Sequence, residues 1–361
     1  MMLTGATMTR IRPRGEAVRR YIIENIDQNP SDIGRVASEY FHVSRQAINV
    51  HLQRLVEEGT VHPSGKTRNR IYKLAPLVRW FESFDTSADP EEDVVWRNSV
   101  APVLGAQPEN VADIWRYGFT EMFNNAKDHS SGTHIGVYIE RTAANTVMQI
   151  SDNGIGIFKK IQLGLGLLDE RHAIFELAKG KVTTDPARHS GEGIFFTSRM
   201  FDRFDIVSGG VRYSHEFGVP WDWVIERPDA PRTVVFLKLN NHTSRTEKKI
   251  FDQFASGEDY GFTKTIVPVA LAQYGNDKLV SRSQAKRVLA RVELFKSVIF
   301  DFKEVPTIGQ AFADEIFRVF QNQHPDIKLY QKDANTEVLR MIERVKTGAS
   351  IEEPVTVETS T

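Results

Sequence analysis

The 361-residue chain contains no cysteine. Disulfides and thiolate-held metals are therefore excluded, and an intracellular setting is favoured. There is no uninterrupted apolar run of about 18 residues, the length a membrane-spanning helix needs, so no segment is expected to cross a bilayer. The opening residues MMLTGATMTRIRPRG are basic but lack the apolar segment of a signal peptide, and a cytoplasmic protein is expected. No spacing of histidines and carboxylates points to a transition-metal site. The chain also has almost no net charge, −1 overall, but the balance is uneven. Residues 1–79 hold 13 Lys/Arg against 7 Asp/Glu, a net of +6, and the remainder holds 33 against 40, a net of −7. A basic module on an acidic body points to nucleic acid for the first part alone. The length exceeds one ordinary core, so two to three domains are expected.

Residues 1–79 read as three helices and a basic hairpin. Val18, Ile22, Ile23 and Ile26 form a helical stripe that Asn29-Pro30-Ser31 breaks. Ser31 or Asp32 caps a second helix with Ile33, Val36 and Ala37 inward. Ser44 caps a third, Arg45 to Glu58, with Ile48, Leu52, Leu55 and Val56 inward, and Gly59 ends it. Two short strands follow around Pro63-Ser64-Gly65-Lys66. The stretch VSRQAINVHLQRLVEEGTV resembles the winged helix-turn-helix family. That resemblance implies Ser44, Arg45, Gln46 and Asn49 in a DNA major groove, with Lys66, Arg68 and Arg70 holding phosphates from the wing. Double-stranded DNA is the expected partner; the alternative is a winged helix used for protein contacts or dimerisation.

Pro76 and the run DTSADPEED (85–93) mark a domain boundary, with a connector at 80–94. Leu77, Trp80, Phe81 and Phe84 lie at helical spacing, which predicts a connector helix packed by its apolar side. Val94 to Leu104 is expected to be a further helix.

The central region, 95–242, carries three blocks: YGFTEMFNNAKDH (117–129), DNGIGI (152–157) and GEGI (191–194). Val111 to Ser130 reads as one helix on which Ile114, Gly118, Glu121, Asn125 and Asp128 share a face. An acid, an amide and an acid on one face fit poorly as core. Asn125 could give its oxygen to a magnesium ion that holds phosphate oxygens, and Glu121, one turn earlier, could orient or deprotonate an attacking water or hydroxyl. Asp152 ends a predicted strand, where a carboxylate can accept from an exocyclic amine such as that of adenine. Gly154 and Gly156 let the chain turn beneath it. Residues 158–190 form a long excursion that reads as a lid over phosphates. Gly191 and Gly193 open a helix whose free amides would meet those phosphates.

These blocks resemble the N box and the two glycine boxes of the GHKL ATPase superfamily, in order, spacing and strand-helix context. The resemblance spans about residues 95–240 and implies a Bergerat-type α/β sandwich that binds ATP and Mg2+. By it Glu121 is the catalytic glutamate, Asn125 the magnesium ligand, Asp128 near the nucleotide and Asp152 the adenine acceptor. Gly154, Gly156, Gly191 and Gly193 shape the turn and take the phosphates. Thr233, in PRTVVFLKL, matches the threonine that shares a water with the aspartate. Lys127, Lys179 and Lys181 are candidates for a phosphate-sensing lysine, and His129 and His189 bracket the site. No histidine sits in a long helical hairpin ahead of the site, which argues against a sensor histidine kinase. The single-domain relatives that phosphorylate serine on anti-sigma antagonists compare more closely.

Residues 243–346 alternate strands and helices, giving a small α/β layer, and a disordered tail is expected at 347–361. VIFDFKEVPTIGQAFADEIFRVF is similar to the STAS domain of anti-sigma antagonists. Those domains carry an acceptor serine where this chain has Gly309-Gln310-Ala311, so an interaction module is expected rather than a phosphorylation target. The whole is thus read as a multidomain α/β protein. The leading function is an ATP-responsive, DNA-binding bacterial regulator. The alternatives are an anti-sigma-like serine/threonine kinase acting on another protein, and a dimerising ATPase clamp or hydrolysis-dead nucleotide sensor.

Overall fold

The computed structural model describes residues 13–66, 70–183, 190–219, 222–226, 232–255, 261–273 and 278–347. Of the tail expected at 347–361, Thr347 ends the last helix and 348–361 lie outside these described residues, as do Arg68 and His189.

The N-terminal module consists of α1 (Pro13–Asn25), α2 (Ile33–Phe41), α3 (Arg45–Glu57) and the antiparallel pair β1 (Val61–Ser64) and β2 (Ile71–Leu74). The helical stripes meet as expected: Val18, Ile22, Ile26, Ile33, Ala37, Ile48, Leu52 and Leu55 are buried together with Val61 and Leu74. His42, left-handed at φ 51°, stops α2, and the Ser44 hydroxyl accepts from the Ala47 amide at 3.2 Å to start α3. Ala144, from the turn between the strands β4 and β5 defined next, completes this core.

The central module is a seven-stranded antiparallel sheet in the order β3-β4-β5-β9-β6-β7-β8. Its strands are β3 (Val78–Asp85), β4 (His134–Arg141), β5 (Asn145–Asp152), β6 (Arg203–Ser208), β7 (Val211–Glu216), β8 (Trp223–Glu226) and β9 (Thr233–Asn240). The helical spacing expected over 77–84 is corrected here, because this stretch is the edge strand β3, paired with β4 along its whole length. Trp80 and Phe84 turn toward the helices, while Phe81 stays 64% exposed on the uncovered face. That exposed aromatic makes a period-2 strand look like a 3.6-period stripe. Residues 78–85 therefore belong to the sheet, not to a separate connector. The sheet's inner face, with Ile135, Val137, Met148, Ile150, Val235 and Leu237, is covered by helices. These are α4 (Glu92–Val95) and α5 (Ala101–Leu104), joined by a π-helical turn, then α6 (Glu109–His129), α7 (Ile157–Leu165), α8 (Glu170–Lys179), α9 (Gly193–Met200) and α10 (Glu247–Phe254).

The C-terminal module is a parallel sheet, β10-β11-β12, of Lys264–Pro268, Ser297–Asp301 and Lys328–Lys332. Its helices are α11 (Arg282–Leu289), α12 (Gln310–Asp314), α13 (Gln321–Gln323) and α14 (Thr336–Thr347). Ser281 and Gln284 form a capping box that starts α11. The apolar core runs without a break from the central module into this one. Among the described residues no helix is long and apolar enough to cross a membrane.

Candidate functional site

A cavity of about 260 Å³ opens between α6, α7, the start of α9 and the strands β5 and β9. Glu121, Asn125, Asp152, Gly191, Gly193 and Thr233 all line it, although they come from four separate stretches of chain. Its walls mix apolar side chains, among them Met122, Ala126, Ile150, Ile157, Ile161, Leu177 and Val235, with the polar ones. Asp128 is exposed on α6 and does not line the cavity. It lies one residue short of the turn that would bring it back beside Asn125.

Each polar group has a local cause for its position. Asp152 ends β5 opposite Thr233 of β9, so the ladder register itself places carboxylate and hydroxyl side by side. Asp152 is buried, and one of its oxygens accepts from the Gly154 amide at 2.9 Å. Burial pushes its carboxyl up, opposed by hydrogen bonds from Gly154 and Thr233. The Thr233 hydroxyl accepts from the Ile157 amide at 3.0 Å, fixing the first turn of α7. Gly154 is needed because a Cβ there would sit 2.0 Å from the Ser130 carbonyl oxygen.

At the other end, Glu121 faces the first turn of α9. A Cβ at Gly193 would fall 1.9 Å from Glu121 Oε2. Burial pushes the Glu121 carboxyl up, and the charge of Glu192 adds to the shift. The Val182 amide donates to the Gly191 carbonyl at 3.0 Å, tying together two stretches of the cavity lining.

The three lysines singled out in the sequence are engaged elsewhere. Lys127 pairs with Asp89 at 2.7 Å, Lys179 pairs with Glu176 at 2.7 Å in the core, and Lys181 donates to the Leu294 carbonyl at 3.1 Å. The cation that does line the cavity is Lys160, one turn into α7, and it forms no ion pair among the described residues. Sequence reasoning passed over it. Its i+4 spacing from Gly156, at a helix opening on the site, is the signal that could have found it. Thr183 and Ser190 also line the cavity. His129 lines it too, as expected.

In the N-terminal module Arg45, Gln46 and Asn49 are exposed on α3, and Lys66 and Arg70 are exposed on the hairpin. The Ser44 hydroxyl is used as the α3 cap. Arg70 stacks over Tyr72, 5.4 Å from the ring centre.

Residues 284–339, running from α11 into α14, match the model of a STAS-like domain of unknown function (DUF4325). The C-terminal module thus contains a STAS-like domain. No curated protein matches the chain. Gly309 caps α12 and Gln310 opens it, and neither carries a hydroxyl.

Proposed function

We propose that this chain is an Mg-ATP-binding, DNA-binding regulatory protein. Its central module would be a GHKL-type nucleotide domain and its N-terminal module a winged helix, with nucleotide state coupled to the N-terminal and STAS-like modules. One observation carries the reading: Glu121, Asn125, Asp152, Thr233, Gly191 and Gly193 converge on a single cavity.

The residues present fit the nucleotide. The Asp152 carboxylate would accept from an exocyclic amine at the end of an apolar slot. The amides at the start of α9 and the ammonium of Lys160 would hold phosphate oxygens. Asn125 would give its side-chain oxygen to Mg2+, which would neutralise phosphate charge when bound. Glu121, whose half-buried carboxyl is a stronger base than an ordinary glutamate, would orient or deprotonate a water or hydroxyl. In the N-terminal module Arg45, Gln46 and Asn49 would read base edges while Lys66 and Arg70 hold the backbone.

Incubating the full chain with labelled ATP and Mg2+ tests this reading. Free phosphate that disappears in Glu121→Ala marks an ATPase. Label on protein that disappears in the same variant marks the serine/threonine kinase, whose acceptor must then lie elsewhere than Gly309-Gln310-Ala311. Binding with neither outcome marks a sensor. Unchanged affinity in both Asn125→Ala and Asp152→Asn would overturn the site.

A further inference from the structure

We propose that the STAS-like module is a built-in effector of the nucleotide cavity, acting through a clamp in which Arg291 and Thr265 hold the turn 179–183 that forms one cavity wall. The proposal rests on the nucleotide reading above and specifies how that site is regulated.

Val182 and Thr183 line the cavity, yet the backbone that presents them is held from outside the central module. The Thr265 hydroxyl, on β10, donates to the Lys179 carbonyl at 2.6 Å. The Arg291 guanidinium donates to the Lys181 carbonyl. The Lys181 ammonium returns the contact, donating to the Leu294 carbonyl and sitting 4.9 Å from the centre of the Phe295 ring. Lys179 Nζ reaches the Ala290 carbonyl while paired with Glu176.

Two observations, one of backbone and one of side chains, indicate that the clamp holds a strained arrangement. Lys181 and Arg291 are both non-glycine residues in the left-handed region, at φ 56° and 66°. L-residues persist there only where surrounding contacts over-determine them. Here each strained residue is the other's partner. The second observation is incomplete satisfaction. Glu176 is 1% exposed with Oε2 unbonded, and Arg291 Nε stands 3.8 Å away, also unbonded. A small shift of the STAS-like module could close that gap or widen it, and the 179–183 turn would move with it. Linkage then requires reciprocity: ligand in the cavity favours the clamped arrangement, and a partner that pulls the STAS-like module away disfavours ligand.

The test uses the full chain. Arg291→Ala removes the guanidinium, Thr265→Val removes one hydroxyl isosterically, and Arg340→Ala, exposed on α14 and paired among the described residues with Glu337, is the control. ATP affinity with Mg2+ is measured by calorimetry, and hydrogen exchange follows the amides of 180–183. The expected result is ATP binding about tenfold weaker in Arg291→Ala, within the usual range of coupling, and weaker to a smaller degree in Thr265→Val. Exchange at 180–183 should be faster in both, with β5 and β9 unchanged and Arg340→Ala like wild type. If Arg291→Ala loses its circular dichroism signal, Thr265→Val carries the comparison. Wild-type ATP affinity together with wild-type exchange at 180–183 in the folded variants would overturn the clamp. If the wild-type chain binds no adenine nucleotide, the functional reading fails. The clamp then stands or falls on exchange at 180–183 alone.

Discussion

Replacing Gly193 by alanine separates the placement of Glu121 from the stability of the fold. Gly193 opens α9 with an ordinary helical backbone, so alanine is conformationally welcome and gains up to about 1 kcal/mol of helix propensity. The new methyl would lie 1.9 Å from Glu121 Oε2, 2.7 Å from Cδ and 3.2 Å from Cγ. Carbon contacts settle near 3.5 Å, so the carboxylate must swing out by roughly 1.5 Å. Glutamate is free to do so at a rotamer cost of about 0.5–1.5 kcal/mol. The two terms nearly cancel, and the predicted change in unfolding free energy is within about 1 kcal/mol. The chemistry has no such cancellation. Losing a positioned general base costs about 10²- to 10⁴-fold in rate, so phosphate release or transfer should fall nearly as far as in Glu121→Gln while nucleotide affinity changes little. Gly154→Ala is the contrast, because its methyl would meet the Ser130 carbonyl at 2.0 Å, where no side chain can yield. That variant should be badly destabilised and lose nucleotide binding as well. Urea unfolding and single-turnover phosphate release on the same preparations decide the matter. Gly193→Ala with wild-type turnover, or with a stability loss above about 3 kcal/mol, would refute the reasoning.

Three further predictions follow from the same geometry. Lys179→Met leaves Glu176 buried without its closest cation, so the urea midpoint should drop by the equivalent of about 3–5 kcal/mol, with much of it recovered in the Glu176→Leu/Lys179→Met pair. Burial holds the Asp152 carboxyl above the usual aspartate value, and the proposed contact with an exocyclic amine would need the ionised form. ATP affinity should therefore weaken as pH falls through that raised value, and begin to do so at higher pH than an exposed aspartate near 3.9 would dictate. In Asp152→Asn, measured by calorimetry across the acid range, that limb should vanish. Lys66→Ala and Arg70→Ala should each lower the salt dependence of DNA binding by about one unit of slope in a titration against potassium chloride, whereas Gln46→Ala should change sequence preference instead.

What the sequence made legible was local and periodic. The α6 face was readable because Glu121 and Asn125 sit one turn apart on a helix whose other positions, Trp115, Phe119, Met122 and Phe123, are plainly core. The turn below Asp152 was readable because Gly154 marks a close backbone approach and Gly156 a positive φ of 91°. The misreading of β3 has a physical source in its edge position, where only one face is covered and an aromatic on the other disturbs the alternation. Asp128 was placed near the site by helical spacing and by the family resemblance, and it lies outside the cavity lining. Spacing fixes direction around the helix axis but not where the cavity ends. The clamp was not legible at all. Arg291 and Lys181 are 110 residues apart, and a guanidinium meeting a main-chain carbonyl leaves no pattern in composition.

The two outer modules contact the central module in different ways, and the coupling they can carry differs accordingly. The N-terminal module rests on the ends of β5 and β9 away from the cavity. Asp27 meets Asn145 at 3.2 Å and Lys238 at 3.5 Å, while Asp152 and Thr233 stand at the opposite ends of those strands. Both strands are hydrogen-bonded on each side in the middle of a seven-stranded sheet. Such an element has one arrangement, and allosteric transmission needs two. The STAS-like module instead grips a turn built on glycine and strained lysine backbone, which can be released without breaking a ladder. Nucleotide occupancy should therefore act first on the STAS-like module. DNA affinity measured with and without Mg-ATP should change less than the affinity for a STAS-like-module partner, unless a second copy of the chain joins the two N-terminal modules.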